Sequence, residues 1–144
     1  KKYILLFPFC SPHLSIKKWP YFNDLSKLIL NKFNDKFKIV TAPGPLEINE
    51  AKNINSLVLL DNGKALDISQ LTALIKESSF IISNDTGPAH IAAHVGAKGL
   101  TLFGQHTTAY KASIERENFK AIQVNDLKNL SPEKVFKRVI ENLH

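Results

Sequence analysis

Short apolar runs recur along this chain and alternate with segments of helical periodicity. Six runs rich in Ile, Leu, Val and Phe are typical of strands, and they lie at 3–9, 37–41, 56–60, 80–83, 100–103 and 121–124. Most are apolar at consecutive positions rather than at every second one, which is typical of parallel strands covered on both faces. The pattern therefore predicts an α/β protein built on a parallel sheet.

Amphipathic segments between these runs predict five helices. Four are expected at 21–33, 47–53, 68–77 and 88–95, and the last one opens at Ser131-Pro132. Serine is a typical N-cap, proline suits the first helical turn, and Val135 and Val139 follow at helical spacing. The alternation over 144 residues predicts one Rossmann-like, doubly wound domain, in which the loops after the strands meet at one edge of the sheet.

The net charge and the cysteine content indicate which binding partners and which cellular compartment to expect. A net charge of +6 favours anionic partners, but the lysines are scattered and not interleaved with aromatic residues, so nucleic acid is not expected. The single cysteine, Cys10, and the lack of an apolar run long enough to span a bilayer predict a cytoplasmic protein. Because the sequence starts without methionine or a leader, we expect it to be part of a longer polypeptide.

The most informative segment is FIISNDTGPAHIAAHVGAKGLTLFG, residues 80–104. An apolar strand here runs into a helix whose start is marked by Gly87-Pro88, because proline is tolerated where its missing N–H has no helical partner. The amides of Thr86, Gly87 and Ala89 are expected to point outward. Unpaired N–H groups and the partial positive charge of a helix start stabilise an anion, so the segment predicts a phosphate site.

Three ionisable side chains have both a structural and a functional interpretation. Asp85 either ties the loop at the helix start or contacts sugar hydroxyls, and His90 either bonds a carbonyl in the core or donates to a phosphate oxygen. Glu47 stands at a helix start, where a carboxylate is favourable, and it also suits ribose hydroxyls. His90 and His94 have the spacing of zinc ligands, but no third ligand stands out, so no metal is expected.

Five motifs occur in a characteristic order along the chain. They are IKKWP at 16–20, PG-x-x-E at 43–47, L-x-x-L-I at 71–75, NDTGPAH at 84–90 and LFG at 102–104. Together they resemble glycosyltransferase family 9, the heptosyltransferases of lipopolysaccharide core synthesis. The resemblance extends over essentially the whole chain but only half of such an enzyme. It implies the C-terminal half of a GT-B glycosyltransferase, with a donor-binding domain at 1–144 and the N-terminal acceptor domain absent from this chain.

The resemblance also implies a set of donor-binding residues, which are Lys17, Glu47, Asp85, Thr86, Gly87 and His90. Lys17 would contact a donor phosphate, and its alternative is a solvated loop charge. Thr86 and Gly87 would hold the diphosphate, and Glu47 would bind the ribose, with Glu50 as the alternative if the loop register shifts.

The neighbours of these residues are interpreted differently. Lys18 is interpreted as surface charge and Trp19 as packing at a helix start. After Phe103-Gly104 the sequence has Gln105-His106-Thr107-Thr108, where the family often has proline and threonine. The family's sugar contacts are therefore not carried over to these four positions.

The activity implied by the resemblance is inverting transfer of heptose from ADP-heptose to the lipopolysaccharide inner core, without metal or cofactor. The acceptor would be a saccharide on lipid A, reached through the missing domain, and the protein would work peripherally at the inner face of the inner membrane. This chain alone should bind donor without transferring sugar.

Two other functions compete with this one. The first is a nucleotide-binding module without transferase activity. The second is a redox enzyme, which is disfavoured because GxGxxG is missing after the first strand.

Overall fold

The chain folds around a six-stranded sheet in which every neighbouring pair of strands is parallel. The computed structural model describes residues 2–9, 18–105 and 114–143. Its strands are β1 (Tyr3–Phe7), β2 (Lys38–Thr41), β3 (Leu57–Val58), β4 (Phe80–Asn84), β5 (Gly99–Phe103) and β6 (Phe119–Gln123). Their order across the sheet is β3-β2-β1-β4-β5-β6, so the α/β, Rossmann-like doubly wound fold is confirmed.

Five α-helices whose bounds the structure describes connect or follow these strands. They are α1 (Phe22–Phe33), α2 (Ile48–Ala51), α3 (Ile68–Glu77), α4 (Gly87–His94) and α5 (Pro132–Asn142). The cap predicted at Ser131 is confirmed, because its side chain accepts the Lys134 N–H at 3.2 Å. Of the helices in the described ranges, none is both long and apolar enough to cross a membrane.

The sheet is covered on both faces, as the unbroken apolar runs predict. Helices α1 and α5 pack on one face, over Ile4, Leu6 and the side chains of β4 and β5 that point the same way. Helices α3 and α4 pack on the other, over Leu5 and Phe7. All residues of β4 and β5 are buried.

Two places require very small residues. Helix α4 turns Ala89, Ala92 and Ala93 toward the sheet, so its backbone lies close to the strands. A Cβ on Gly99 would lie 2.4 Å from the carbonyl oxygen of Ile81, so no larger residue fits at that position without movement of the backbone.

Candidate functional site

A crevice forms where the order of the strands reverses. β1 and β4 are neighbours in the sheet, but their helices α1 and α4 leave toward opposite faces. Ligands of open parallel sheets collect at such a switch point, beyond the carboxyl ends of the strands. Here these ends are Phe7 of β1 and Asn84 of β4.

A cavity of 170 Å3 opens at this edge of the sheet. It is lined by Phe7, Phe9, Ala42, Pro43, Gly44, Glu47, Leu71, Thr86 and Pro88. The structure thus brings Glu47 and Thr86, which are 39 positions apart in the chain, to the walls of one cavity. Its apolar wall with a few polar groups is typical of small-molecule sites.

The start of α4 contributes the polar end of this cavity. Thr86 is the N-cap residue with an extended backbone, and its side chain makes no capping hydrogen bond. Its Oγ1 is buried and has no hydrogen-bond partner among the residues that the structure describes. A buried hydroxyl without a partner is costly, so a ligand oxygen that bonded it would gain more than an exposed contact would.

The outward amides predicted at this helix start are only partly correct. The Ala89 N–H donates to the Thr86 carbonyl at 3.1 Å, so the prediction of an outward Ala89 amide is wrong. The first turn is tightened here by an i→i−3 bond, which satisfies one of the donors that a helix start leaves open. The N–H groups of Thr86 and Gly87 donate to no backbone carbonyl in the described part of the chain.

Gly87 faces open space. A Cβ built at this position would meet nothing within 4 Å, so the protein itself does not require glycine here. Its backbone is also outside the left-handed region. The missing side chain therefore matters only for something that approaches the amide from outside.

Glu47 closes its own loop and lines the cavity at the same time. Its Oε1 accepts the Gly44 N–H at 3.0 Å, and its N–H donates to the Gly44 carbonyl at 3.0 Å. Glu47 is also the N-cap residue of α2, although its side chain does not cap that helix. The two interpretations of Glu47 are compatible, because one carboxylate oxygen holds the loop and the second remains for a ligand.

Glu50, the alternative to Glu47, has a different partner. Its Oε2 forms a salt bridge with Nζ of Lys18, and both side chains are about two-fifths exposed. Lys18, interpreted as surface charge, is partly exposed and paired with Glu50, and the pair connects the loop before α1 to α2. Lys17, its neighbour, lies outside the described residues.

Asp85 and His90 approach one another beside the helix start. The Asp85 Oδ1 lies 3.8 Å from His90 Nε2, which is within ion-pair range but longer than a hydrogen bond. The Asp85 side chain is 6% exposed and that of His90 is 46% exposed. Because almost half of its side chain is exposed, His90 is not the core histidine of its structural interpretation and can be reached from solvent. Neither Asp85 nor His90 lines the cavity.

Asn84 was missed in the sequence, although a polar residue that ends an apolar strand is a visible signal. Its Oδ1 accepts the Trp19 N–H at 3.0 Å, and the residue is fully buried. Trp19 packs at the helix start as predicted: it is 1% exposed and its Nε1 donates to the Leu130 carbonyl at 2.7 Å. Asn84 thereby fixes the loop before α1 against the end of β4.

No cluster of three or more His, Cys, Asp or Glu side chains that could hold a metal occurs in the described ranges. His94 lies at the end of α4, one turn beyond His90.

A family model matches nearly all of this chain. Residues 1–140 match the model of glycosyltransferase family 9 (heptosyltransferase). No curated protein sequence is significantly similar to the chain.

Solved structures with the same fold include several transferases. The chain is similar to Escherichia coli heptosyltransferase WaaC with ADP, with a TM-score of 0.83 and 20% identity over 98% of this chain and 44% of that one. It is similar to E. coli ADP-heptose lps heptosyltransferase II, with a TM-score of 0.81 and 18% identity over 99% and 46% of the two chains. For the family 9 glycosyl transferase from Veillonella parvula the TM-score is 0.77 and the identity 16%, over 99% and 47%. The chain thus spans less than half the length of each of these proteins.

Proposed function

Because the chain belongs to glycosyltransferase family 9, we propose that it is the donor-binding half of an inverting heptosyltransferase that uses ADP-heptose for the lipopolysaccharide inner core. The observation that carries the proposal is the buried, unpartnered Thr86 Oγ1 at the open start of α4, in a cavity that also presents Glu47. The solved structures of WaaC hold ADP in one case and ADP-2-deoxy-2-fluoro heptose in another. Both ligands contain the diphosphate and ribose for which this cavity has matching groups.

The diphosphate binds at the start of α4. The N–H groups of Thr86 and Gly87 and the Thr86 hydroxyl donate to its oxygens, and the partial positive charge of the helix start adds to them. Negative charge accumulates on the diphosphate as the glycosidic bond breaks, so these donors stabilise the transition state more than the bound donor. Lys17 is assigned a contact from its ammonium to the diphosphate, as the family resemblance implies, and no metal or cofactor takes part.

The ribose and the sugar bind on either side of this diphosphate. The second carboxylate oxygen of Glu47 accepts from the ribose hydroxyls, while its Oε1 stays on the Gly44 N–H. His90 donates to a phosphate or sugar oxygen from its exposed position. Asp85 orients His90 and the loop, since a carboxylate in direct contact with the phosphates would repel them.

Transfer requires groups outside this chain. An acceptor hydroxyl attacks the anomeric carbon, the bond to the diphosphate oxygen breaks, and ADP leaves with the electron pair. A base of the acceptor domain takes the hydroxyl proton. The chain is then a C-terminal domain that binds donor but does not turn it over alone, and the complete protein meets its lipid A-core acceptor at the cytoplasmic face of the inner membrane.

Calorimetric titration of the 144-residue chain with ADP, UDP, GDP and ADP-heptose tests the proposal. ADP and ADP-heptose should bind most tightly. Thr86→Val, which keeps the shape and removes the hydroxyl, should weaken ADP binding about tenfold or more, because a bond to a charged group is lost. Thr72→Val is the matched control, since its hydroxyl bonds the Ile68 carbonyl on α3.

Two results would count against the proposal in different ways. Equal weak heat with all four ligands would exclude a donor site of this specificity. Tight ADP binding together with no sugar transfer by the complete polypeptide would favour a nucleotide-binding module without transferase activity.

A further inference from the structure

A second concavity lies between the outer strand β6 and helix α5. Its volume is 440 Å3. It is lined by Ile122, Val124, Asn129, Leu130, Lys134, Lys137, Arg138 and Glu141, and we call it the β6–α5 groove. In the described part of the chain it shares no lining residue with the cavity at the start of α4, so the proposed donor site does not account for it.

The floor of the β6–α5 groove is apolar and firmly held. Ile122 and Val124 are only partly buried, although they pack against the core beneath α1 and α5. β6 is the last strand of the sheet, so no further strand or helix shields this side of it among the described elements. Leu130 completes the floor, and its carbonyl is held by the Trp19 indole N–H at 2.7 Å.

The rim of the groove is strongly basic. Lys134, Lys137 and Arg138 are three and four residues apart, so they lie on one face of α5. Glu141 is the one carboxylate among the lining residues that the structure describes. Within the described ranges none of the three cations forms a salt bridge. Lys134 lies in the first turn of its helix, where the partial positive charge of the helix start opposes a cation.

Resting on the inner-membrane location in the proposed function, we propose that the β6–α5 groove docks the protein on a bilayer that contains anionic phospholipids. The three cations would contact the head-group phosphates, and the first methylenes of a lipid chain would lie on Ile122 and Val124. Lysine and arginine suit such a position, because their aliphatic stems cover apolar surface while their charges remain among head groups. Among the described residues that line the groove none is aromatic, which disfavours a single-stranded nucleic acid as its occupant.

Vesicle flotation of the 144-residue chain tests the docking surface. The chain should float with vesicles made of equal parts phosphatidylglycerol and phosphatidylcholine, and not with pure phosphatidylcholine. Lys134→Gln with Lys137→Gln should lower the partition coefficient about 25-fold, at about fivefold for each charge near the surface. Neither lysine is buried, and removing the cation from the first turn of α5 should not destabilise the helix.

A matched double variant separates this surface from overall charge. Lys64→Gln with Lys76→Gln removes the same charge from exposed positions outside the groove, and should leave flotation within about twofold of the original protein. Equal losses in both double variants would overturn the proposal, as would binding to single-stranded RNA without binding to vesicles. ADP titration of Lys134→Gln/Lys137→Gln should be unchanged, so a failure of the donor site appears in calorimetry and a failure of the docking surface in flotation.

Discussion

The side-chain oxygen of Asn84 accepts the backbone N–H of Trp19 at 3.0 Å, and both residues are buried. The bond joins the end of β4 to the chain that enters α1, across 65 positions of sequence. Trp19 is held from a second side by the Leu130 carbonyl. Lys18, which directly precedes Trp19, is therefore held near the same strand end from which Thr86 follows.

Asn84→Ala should destabilise the fold by about 1–3 kcal/mol, because it leaves a buried N–H without an acceptor. Asn23→Ala is the control: Asn23 also bonds backbone groups, those of Asn53 and Asn55, but at an exposed position where water can replace it. Urea denaturation of both variants measures the difference in the free energy of unfolding. Equal losses would show that the buried position of the Asn84 bond adds nothing.

Gly87→Ala should separate folding from binding. A Cβ at this position meets no protein atom within 4 Å, and alanine is a better helix former, so the melting temperature should stay the same or rise. The added methyl group projects into the space beside the proposed diphosphate and should weaken ADP binding at least about tenfold, or about 1.4 kcal/mol. Unchanged ADP affinity in a folded Gly87→Ala variant would mean that the phosphates do not approach this amide.

Glu47→Gln should weaken the binding of ADP more than the binding of an ADP analogue without ribose hydroxyls. The amide oxygen still accepts the Gly44 N–H, so the loop is expected to keep its form, but the charged acceptor for ribose hydroxyls is lost. The variant should bind ADP about tenfold less tightly than the original protein does. Its affinity for 2′,3′-dideoxy-ADP should change little, because this nucleotide has no hydroxyls for the carboxylate to accept from. Calorimetry with both nucleotides gives the ratio, and equal losses would assign Glu47 to the loop alone.

The ionisation of the Tyr3 phenol should make the stability of the fold depend on pH. Burial, assisted by the Glu77 carboxylate, raises the pKa of the Tyr3 phenol above its ordinary value of 10.0. The folded state therefore favours the neutral phenol, so its contribution is fully present below pH 10.0 and is lost as the pH rises toward the folded-state pKa.

Tyr3→Phe should flatten the alkaline decline in stability. At neutral pH it should cost about 1 kcal/mol, since the phenol donates to the Leu74 carbonyl. Urea denaturation between pH 8 and 11, about the ordinary phenol range, measures both effects. Tyr21→Phe, which removes a phenol bonded to the Lys128 carbonyl near the surface, is the control. An unchanged alkaline slope in Tyr3→Phe would contradict the assignment.

The order of strands and helices could be predicted from local pattern because each element has its own periodicity. The helix at 68–77 has the predicted bounds, and the last helix begins directly after the predicted cap, at Pro132. The predicted strand at 56–60 is reduced to Leu57–Val58. An edge strand has one neighbour, so its ends are decided by pairing with β2, which a local pattern does not contain.

Less of the candidate site than of the fold could be predicted from the sequence, because the geometry of the site depends on contacts between residues that are distant in the chain. The phosphate interpretation of Thr86 and Gly87 came from a local signal, a strand followed by Gly-Pro. The bond between Asn84 and Trp19 and the pairing of Lys18 with Glu50 join separate segments, and no periodicity indicates either. The Ala89 amide is turned inward because the Thr86 carbonyl accepts an i→i−3 bond from it in addition to the i→i−4 bond from His90, a detail that residue types alone do not decide.

The three alanines of α4 that face the sheet determine the distance between this helix and the strands. A larger side chain at Ala89, Ala92 or Ala93 would raise the whole helix, and with it the Thr86 hydroxyl and the Gly87 amide, without altering any group that meets a ligand. The fit of the proposed donor should therefore depend also on these three positions, which a search confined to ligand contacts would overlook.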